Sequence, residues 1–170
     1  FLLSDQTALD RLYMLPETVR YNPGGIPENE SSVKNLVMEW AAQHESPDRK
    51  SYTMLISDRT GHDFIGVISL ELGKKKYRNA EVWYKLRPEK WGLGFATESL
   101  TAILQFGFET LHLHRIECGT SVENMASWRV MEKAGMTREG TRRLLLPLDG
   151  GWHDAFMYAI LENEFLHGDG

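Results

Sequence analysis

Cysteine is almost absent: Cys118 is the single one in 170 residues, so no disulfide can form within the chain. With no secretory signal visible, that composition fits a reducing cytosol. Phe1 stands where a start methionine would, which leaves open whether the natural N-terminus is missing. Long apolar runs are missing too. None approaches the roughly 20 residues that a membrane span requires, which argues against a membrane protein. Cationic excess is also lacking, and the net charge of −5 sets aside broad nucleic-acid binding. There is no internal repeat, linker or low-complexity segment. What remains is an ordinary soluble composition, 42% hydrophobic and 25% charged. Its length suits one domain over 1–170 with a respectable core.

The stretch richest in chemistry is Arg87 to Leu100, RPEKWGLGFATESL. A strand-like run, Ala80 to Leu86, precedes it, and a helical run, Thr97 to Leu111, follows. Gly92 and Gly94 let backbone N–H groups approach an oxyanion closely. The first N–H groups of the next helix have no partner within it, and its dipole favours negative charge there. Lys85, Arg87 and Lys90 add cationic charge nearby. Neither familiar phosphate fingerprint is present. Thr97 stands where G-x-G-x-x-G needs its third glycine, and no Gly-Lys-Ser/Thr follows for a P-loop.

Around this centre the pattern predicts α, α, β, β, β, α, β, α, β, β. Ser4 or Asp5 caps a first helix with Leu9, Leu12 and Met14-Leu15 apolar, ending near Pro16. Thr18 to Pro27 reads as a loop. Ser31 or Ser32 caps a second helix whose Val33, Leu36, Val37, Trp40 and Ala41 share one face. Phe1-Leu2-Leu3 reads as the tail of an earlier strand. Ser51–Ser57 and Asp63–Leu72 form a hairpin, in which Gly66 signals a bulge or a close approach. Leu113–Ser121 is a strand that could lie beside Ala80–Leu86. Asn124–Lys133 is a short helix closed by Gly135. Thr137–Pro147 and Trp152–Leu161 make a last hairpin. The class is mixed α/β: one central sheet with helices on its faces.

WGLGFATESL, followed by SVENMASWRVMEKAGMTREGTRR at Ser121–Arg143, resembles the GCN5-related N-acetyltransferases. More narrowly it looks like the branch that acetylates N-terminal residues of bacterial ribosomal proteins. The resemblance spans roughly Ser51 to Phe165. It implies a mostly antiparallel sheet with splayed fourth and fifth strands, here Ala80–Leu86 and Leu113–Ser121. It implies acetyl-CoA as donor, with the pyrophosphate on Trp91, Gly92, Leu93, Gly94, Phe95, Ala96 and Thr97. Trp91 replaces the usual Gln or Arg. Pantetheine would enter the splay, touched by Asn124, and a backbone N–H near Leu86, at the junction with Arg87, would polarise the thioester carbonyl. Dimers are common in this branch, and the sequence carries no signal on assembly.

The resemblance also implies where acid and base should be. The tyrosine that serves many members as acid falls on Met131. Ser127 matches the serine proposed as acid in the ribosomal branch. The glutamate proposed there as base falls on Leu146, which puts the ribosomal substrate in doubt. Glu81, mid-strand beside the cleft, is a candidate base, though strand-face carboxylates are mostly solvated. Tyr84, on the opposite face, reads as a half-buried packing residue. His153 reads as an exposed turn histidine, Asp154 as structural, and Tyr158 lies inside the final strand. Cys118 reads as a buried inert thiol, and Lys74-Lys75-Lys76 as a solvated turn. His112 and His114 lack partners at metal-ligand spacing. The reading is an acetyl-CoA-dependent transfer to a primary amine, expected to be an α-amino group of a peptide, protein N-terminus or amino-acid-like molecule. The alternative is a non-catalytic acyl-CoA sensor.

Overall fold

The computed structural model describes residues 6–23, 30–61 and 63–167. The expected strand tail at Phe1–Leu3, the caps at Ser4 or Asp5 and the turn at 24–27 lie outside the described residues. Elements run α1 (Gln6–Met14), α2 (Pro16–Val19), α3 (Glu30–Glu45), β1 (Ser51–Ser57), β2 (Phe64–Leu72), β3 (Asn79–Leu86), α4 (Phe95–Gln105), β4 (Arg115–Ser121), α5 (Met125–Lys133), β5 (Thr137–Leu148), β6 (Gly151–Leu161) and α6 (Glu162–His167).

Three differences from the sequence reading have local causes. Residues Pro16–Val19 turn as a short helix where Thr18 was expected to open a loop. Pro16 sits in its first turn and Leu15 before it is extended, the arrangement proline favours. The helix expected over Thr97–Leu111 begins two residues earlier. It loosens into a π-turn at Phe106–Thr110, where Gly107 lies against Ile116 and Leu113. The chain also ends its last strand in α6, which the periodicity did not signal.

Among the described residues six strands lie in the order β1-β2-β3-β4-β6-β5, antiparallel except for β3 beside β4. One face carries α1 and α3, packed through Leu9, Leu12, Tyr13, Val33, Val37 and Trp40 on Val67. The other face packs α4 and α5 through Leu100, Ile103, Leu104 and Met131 onto Leu70, Val82, Leu86 and Ile116. Burying each such aliphatic side chain contributes about 1.5–3 kcal/mol, so both faces hold the sheet. β2, covered on both sides, is buried without interruption from Ile65 to Leu70.

The one parallel pair is cut short. β3 and β4 pair only at Asn79↔Arg115, Ala80↔Ile116 and Glu81↔Glu117. Beyond that point each strand is held on its far side. β4 stays paired with β6 as far as Ser121↔Ala155, and β3 with β2 as far as Gly66↔Leu86. Gly66 makes the second hold possible, because a Cβ there would overlap the Lys85 carbonyl oxygen. The register also slips across Ile65, between Ile56↔Gly66 and Ser57↔Phe64, so this glycine marks both a bulge and a close approach. The strands expected to splay are therefore these two, and a gap opens between Val82–Leu86 and Cys118–Ser121.

Candidate active site

The gap has a different chemistry on each side of the sheet. Side chains alternate along β3, so Val82, Tyr84 and Leu86 face α4 and α5, while Glu81, Trp83 and Lys85 face α1 and α3. Backbone groups alternate as well. The Arg87 N–H donates to the Ile65 carbonyl at 2.9 Å on the β2 side. The Leu86 N–H therefore faces the other edge, into the gap.

The loop after β3 is anchored rather than loose. The Trp91 Nε1–H donates to the Leu86 carbonyl at 2.9 Å. Arg87 donates from Nη1 to Asp63 Oδ1 at 3.0 Å and to the Phe64 carbonyl at 2.7 Å, and from Nε to Glu89 at 2.8 Å. Lys90 pairs with Asp63, whose carboxyl is held below its usual range by the Lys90 hydrogen bond and by the Lys90 and Arg87 charges. These two cations are thus engaged within the protein. Lys85, counted from sequence among the charges near the loop, leaves the sheet on the opposite face.

Gly92 and Gly94 have φ of +74° and +88°, and a Cβ built on either meets nothing within 4 Å. Gly94 caps α4 without any side-chain hydrogen bond. The first helical bond is donated by the Glu98 N–H to the Gly94 carbonyl at 3.0 Å, so the N–H groups of Phe95, Ala96 and Thr97 precede any helical acceptor. Trp91 and Leu93 are exposed over this opening. An open groove of about 600 Å³ continues from Gly94 along Thr97, Thr101 and Gln105 to Lys133. A backbone cradle with free N–H groups, open space above it and a lysine at the groove's far end suits a phosphate-bearing nucleotide such as coenzyme A.

Across the gap, Asn124 is the N-cap of α5, its Oδ1 accepting from the Ser127 N–H at 3.3 Å. This places Ser127 in the first turn, facing β3. The Tyr84 hydroxyl lies 3.0 Å from Ser127 Oγ and donates within 3.1 Å of the Ser127 carbonyl. Burial pushes the Tyr84 phenol well above its ordinary value, the Cys118 thiol adds to this, and the Ser127 hydrogen bond opposes it. The pair therefore stays protonated. Tyr84 is half-buried and packed on the core, as its sequence reading expects; the Ser127 contact adds to that, and its parity with Leu86 aims it at the α5 side of the splay. Met131 is buried in the core and has no proton to give. Cys118 is 3% exposed, and burial, with Glu81, pushes its thiol up, which suits the inert reading.

On the opposite face, Glu81 is exposed and opposes Glu71 on β2 and Glu117 on β4. Its carboxyl is raised first by partial burial, then by those two charges, with Arg142 opposing. Trp83 Nε1–H donates to Glu71 at 2.6 Å. Leu146 lies in the last hairpin opposite His153 and offers no base. His153 Nδ1 is 3.2 Å from Glu123, Asp154 accepts the Leu144 N–H at 2.8 Å, and Tyr158 donates to Glu132 at 3.0 Å. Lys74–Lys76 stand at the far end of β3 from the loop. Among the described residues no group of three His, Cys, Asp or Glu could hold a metal ion, and no helix is long and apolar enough to cross a membrane.

A splayed parallel pair beside a glycine-capped helix defines an acyl-CoA-dependent transferase scaffold. Residues 2–137 match the acetyltransferase (GNAT) domain family, and the chain belongs to that family. It is 41% identical over 85 residues to an uncharacterized N-acetyltransferase, YnaD, of Bacillus subtilis (strain 168), across 50% of this chain and 50% of that protein. It is 28% identical over 142 residues to a putative ribosomal N-acetyltransferase, YdaF, of the same organism, across 81% of this chain and 75% of that protein. A GNAT-family acetyltransferase structure from Bacillus anthracis superposes with TM-score 0.83 at 29% identity, covering 96% of this chain and 93% of that one. Spermidine N-acetyltransferase from Vibrio cholerae, in complex with CoA and spermine, superposes with TM-score 0.87 at 22% identity, covering 98% and 95%. At that identity the likeness is one of fold. Family membership and the cradle described above agree on acetyl-CoA as cosubstrate.

Proposed function

We propose that this protein transfers acetyl from acetyl-CoA to a primary amine, with α-amino groups the preferred acceptors. The carrying observation is the Ser127 hydroxyl, which α5 holds across the gap from the Leu86 N–H and which is hydrogen-bonded to Tyr84. Acetyl-CoA, when bound, would supply a thioester whose carbonyl carbon takes the amine nitrogen as the carbon–sulfur bond breaks and CoA leaves as the thiol. The N–H groups from Gly92 to Thr97 hold its pyrophosphate. The side-chain amide of Asn124, with Oδ1 spent on the cap, keeps Nδ2 for the pantetheine arm. The Leu86 N–H donates to the carbonyl oxygen as negative charge develops there. Ser127 Oγ–H gives a proton toward sulfur, the Tyr84 hydroxyl orients it through their hydrogen bond, and Ser127 regains a proton from the water that carries away the amine's. Glu81 stands about five residues, roughly 16 Å of strand, from Leu86, so it accepts the amine's proton only through water.

The experiment is thiol release from acetyl-CoA against a panel of amines covering amino acids, peptides and polyamines. Turnover with any member, reduced in Ser127→Ala, supports the proposal. Coenzyme binding without turnover across the panel would favour a sensor instead.

A further inference from the structure

The lysine beside the acceptor side of the gap is buried, and among the described residues no anion pairs with it. Lys85 is 8% exposed, its Nζ makes no hydrogen bond among the described residues, and it lies 3.9 Å from the centroid of the Tyr13 ring. A ring face answers part of its charge but leaves three N–H donors unmet. The neighbouring cations are treated differently: Arg87 and Lys90 share Asp63, and Arg115 pairs with Glu117 and Glu139. Burial alone pushes Lys85 down to about 8, with no anion opposing that fall.

Its position gives this vacancy a direction. Lys85 immediately precedes Leu86, whose N–H opens into the gap. Pairing between β3 and β4 has ended four residues earlier, at Glu81↔Glu117, so β2 flanks Lys85 on one side and the β4 side is open. The glycine loop opens α4, which puts the coenzyme on the α4–α5 face and leaves the α1–α3 face to the amine. That face is polarised. Glu71, Glu81 and Glu117 make its closed end negative, and Lys85 makes its open end positive.

We propose that Lys85 is a specificity-determining residue that receives a carboxylate carried by the acceptor next to its amine. The acceptor class is then free amino acids rather than polyamines or peptide N-termini. An α-amino acid carries both groups on one carbon, so its carboxylate on Lys85 sets its amine beside the Leu86 N–H. Two carboxylate oxygens meet the unmet N–H donors, and the ion pair replaces a contact that water cannot reach. A polyamine has no such group and would bring a second cation against the first. This inference rests on the amine acetylation proposed above.

The test compares amino acids with their primary amides, and with spermidine, as acceptors for the native chain, Lys85→Met and Lys85→Arg. In parallel, N-acetylglycine and N-acetylglycinamide are titrated by calorimetry onto the CoA-saturated proteins. The native chain is expected to favour acids over amides by roughly 10- to 100-fold in kcat/KM, the range for a hydrogen bond to a charged group. Lys85→Met should bring that ratio near one, Lys85→Arg should keep part of it, and the binding preference for N-acetylglycine should follow the same order. Amides or spermidine acetylated as well as acids by the native chain would overturn the inference and leave acetyl transfer standing. So would a preference that survives in Lys85→Met, or no binding preference for the acid probe. Acid-selective binding through Lys85 with no amine acetylated would instead overturn the transfer reaction alone.

Discussion

Tyr84 and Lys85 are consecutive, largely buried and polar, yet the sheet treats them in opposite ways. Tyr84 leaves toward α5 and finds two partners on one residue, the hydroxyl and the carbonyl of Ser127. Lys85 leaves toward α1 and finds, among the described residues, an aromatic face and no acceptor. A satisfied buried donor holds structure and fixes the orientation of its partner's hydroxyl. An unsatisfied buried cation costs stability until something outside the chain pairs with it. The difference divides the gap into a side finished by the protein and a side finished by a ligand.

The largest expected effect tests the finished side. Ser127→Ala should lower kcat by roughly 10- to 1000-fold with a smaller change in KM, because a donor to the leaving thiolate acts in the transition state. Tyr84→Phe should lower kcat less if Tyr84 works only through Ser127. Steady-state kinetics on both variants checks this. A Tyr84→Phe loss as large as that of Ser127→Ala would make the tyrosine an equal partner, and no loss in either would return both to packing.

The unfinished side should show itself in stability against pH. Lys85 falls from 10.5 to about 8 in the folded protein, worth about 3 kcal/mol at 1.36 kcal/mol per pH unit. The folded value is the lower one, so between about 8 and 10.5 the unfolded chain binds more protons and stability rises with pH. Below about 8 the full cost is present. Lys85→Met should therefore be more stable than the native chain at pH 7, by up to about 3 kcal/mol, and the two should converge toward pH 10. Tyr13 and Tyr84, both raised by burial, pull the other way only above their ordinary range. Denaturant midpoints at pH 7, 8, 9 and 10 decide it; parallel curves would mean that Lys85 is not charged and unpaired at neutral pH.

A smaller effect asks whether the coenzyme arrives on the Tyr84 side at all. Gly94→Val puts a branched Cβ into the open space over the cradle and strains a backbone at φ +88°. Acetyl-CoA affinity should fall by about 10-fold or more, as one lost charge-assisted contact would cause. Unchanged calorimetric affinity in a folded variant would put the pyrophosphate elsewhere.

Most of the sheet was legible because hydrophobic alternation and turn residues declare strands directly. The splay was legible through the family resemblance, and its cause, Gly66 under Lys85, carried a sequence signal of close approach. The glycine cradle was legible as spacing. Tyr84 was not, because a tyrosine in a strand looks the same whether its hydroxyl meets solvent or a helix cap 43 residues away. Lys85 was misplaced for a related reason. Sequence proximity to the loop grouped it with Arg87 and Lys90, while strand parity sent it through the sheet. Long-range pairing decides such residues, and nearest-neighbour chemistry does not record it.

The smallest expected effect concerns which amine the unfinished side accepts. A lysine side chain has a pKa of about 10.4 and an α-amino group about 7.7–8.0. At pH 7 freeing the lysine costs roughly 4–5 kcal/mol and freeing the α-amine about 1 kcal/mol. Leu146 supplies no base, and Glu81 reaches the amine only through water, so the site does little to remove that proton. The greater nucleophilicity of the more basic amine returns part of the difference. Two short peptides separate the contributions, one with a free N-terminus and a blocked lysine, the other reversed; neither presents a carboxylate beside its amine, so Lys85 favours neither. The α-amine peptide should be acetylated a few-fold faster at pH 7, with the gap closing as pH rises and the lysine loses its proton unaided. Faster acetylation of the lysine peptide at pH 7 would mean that a base acts on this face. Glu81, with its raised carboxyl, would then be the first residue to replace.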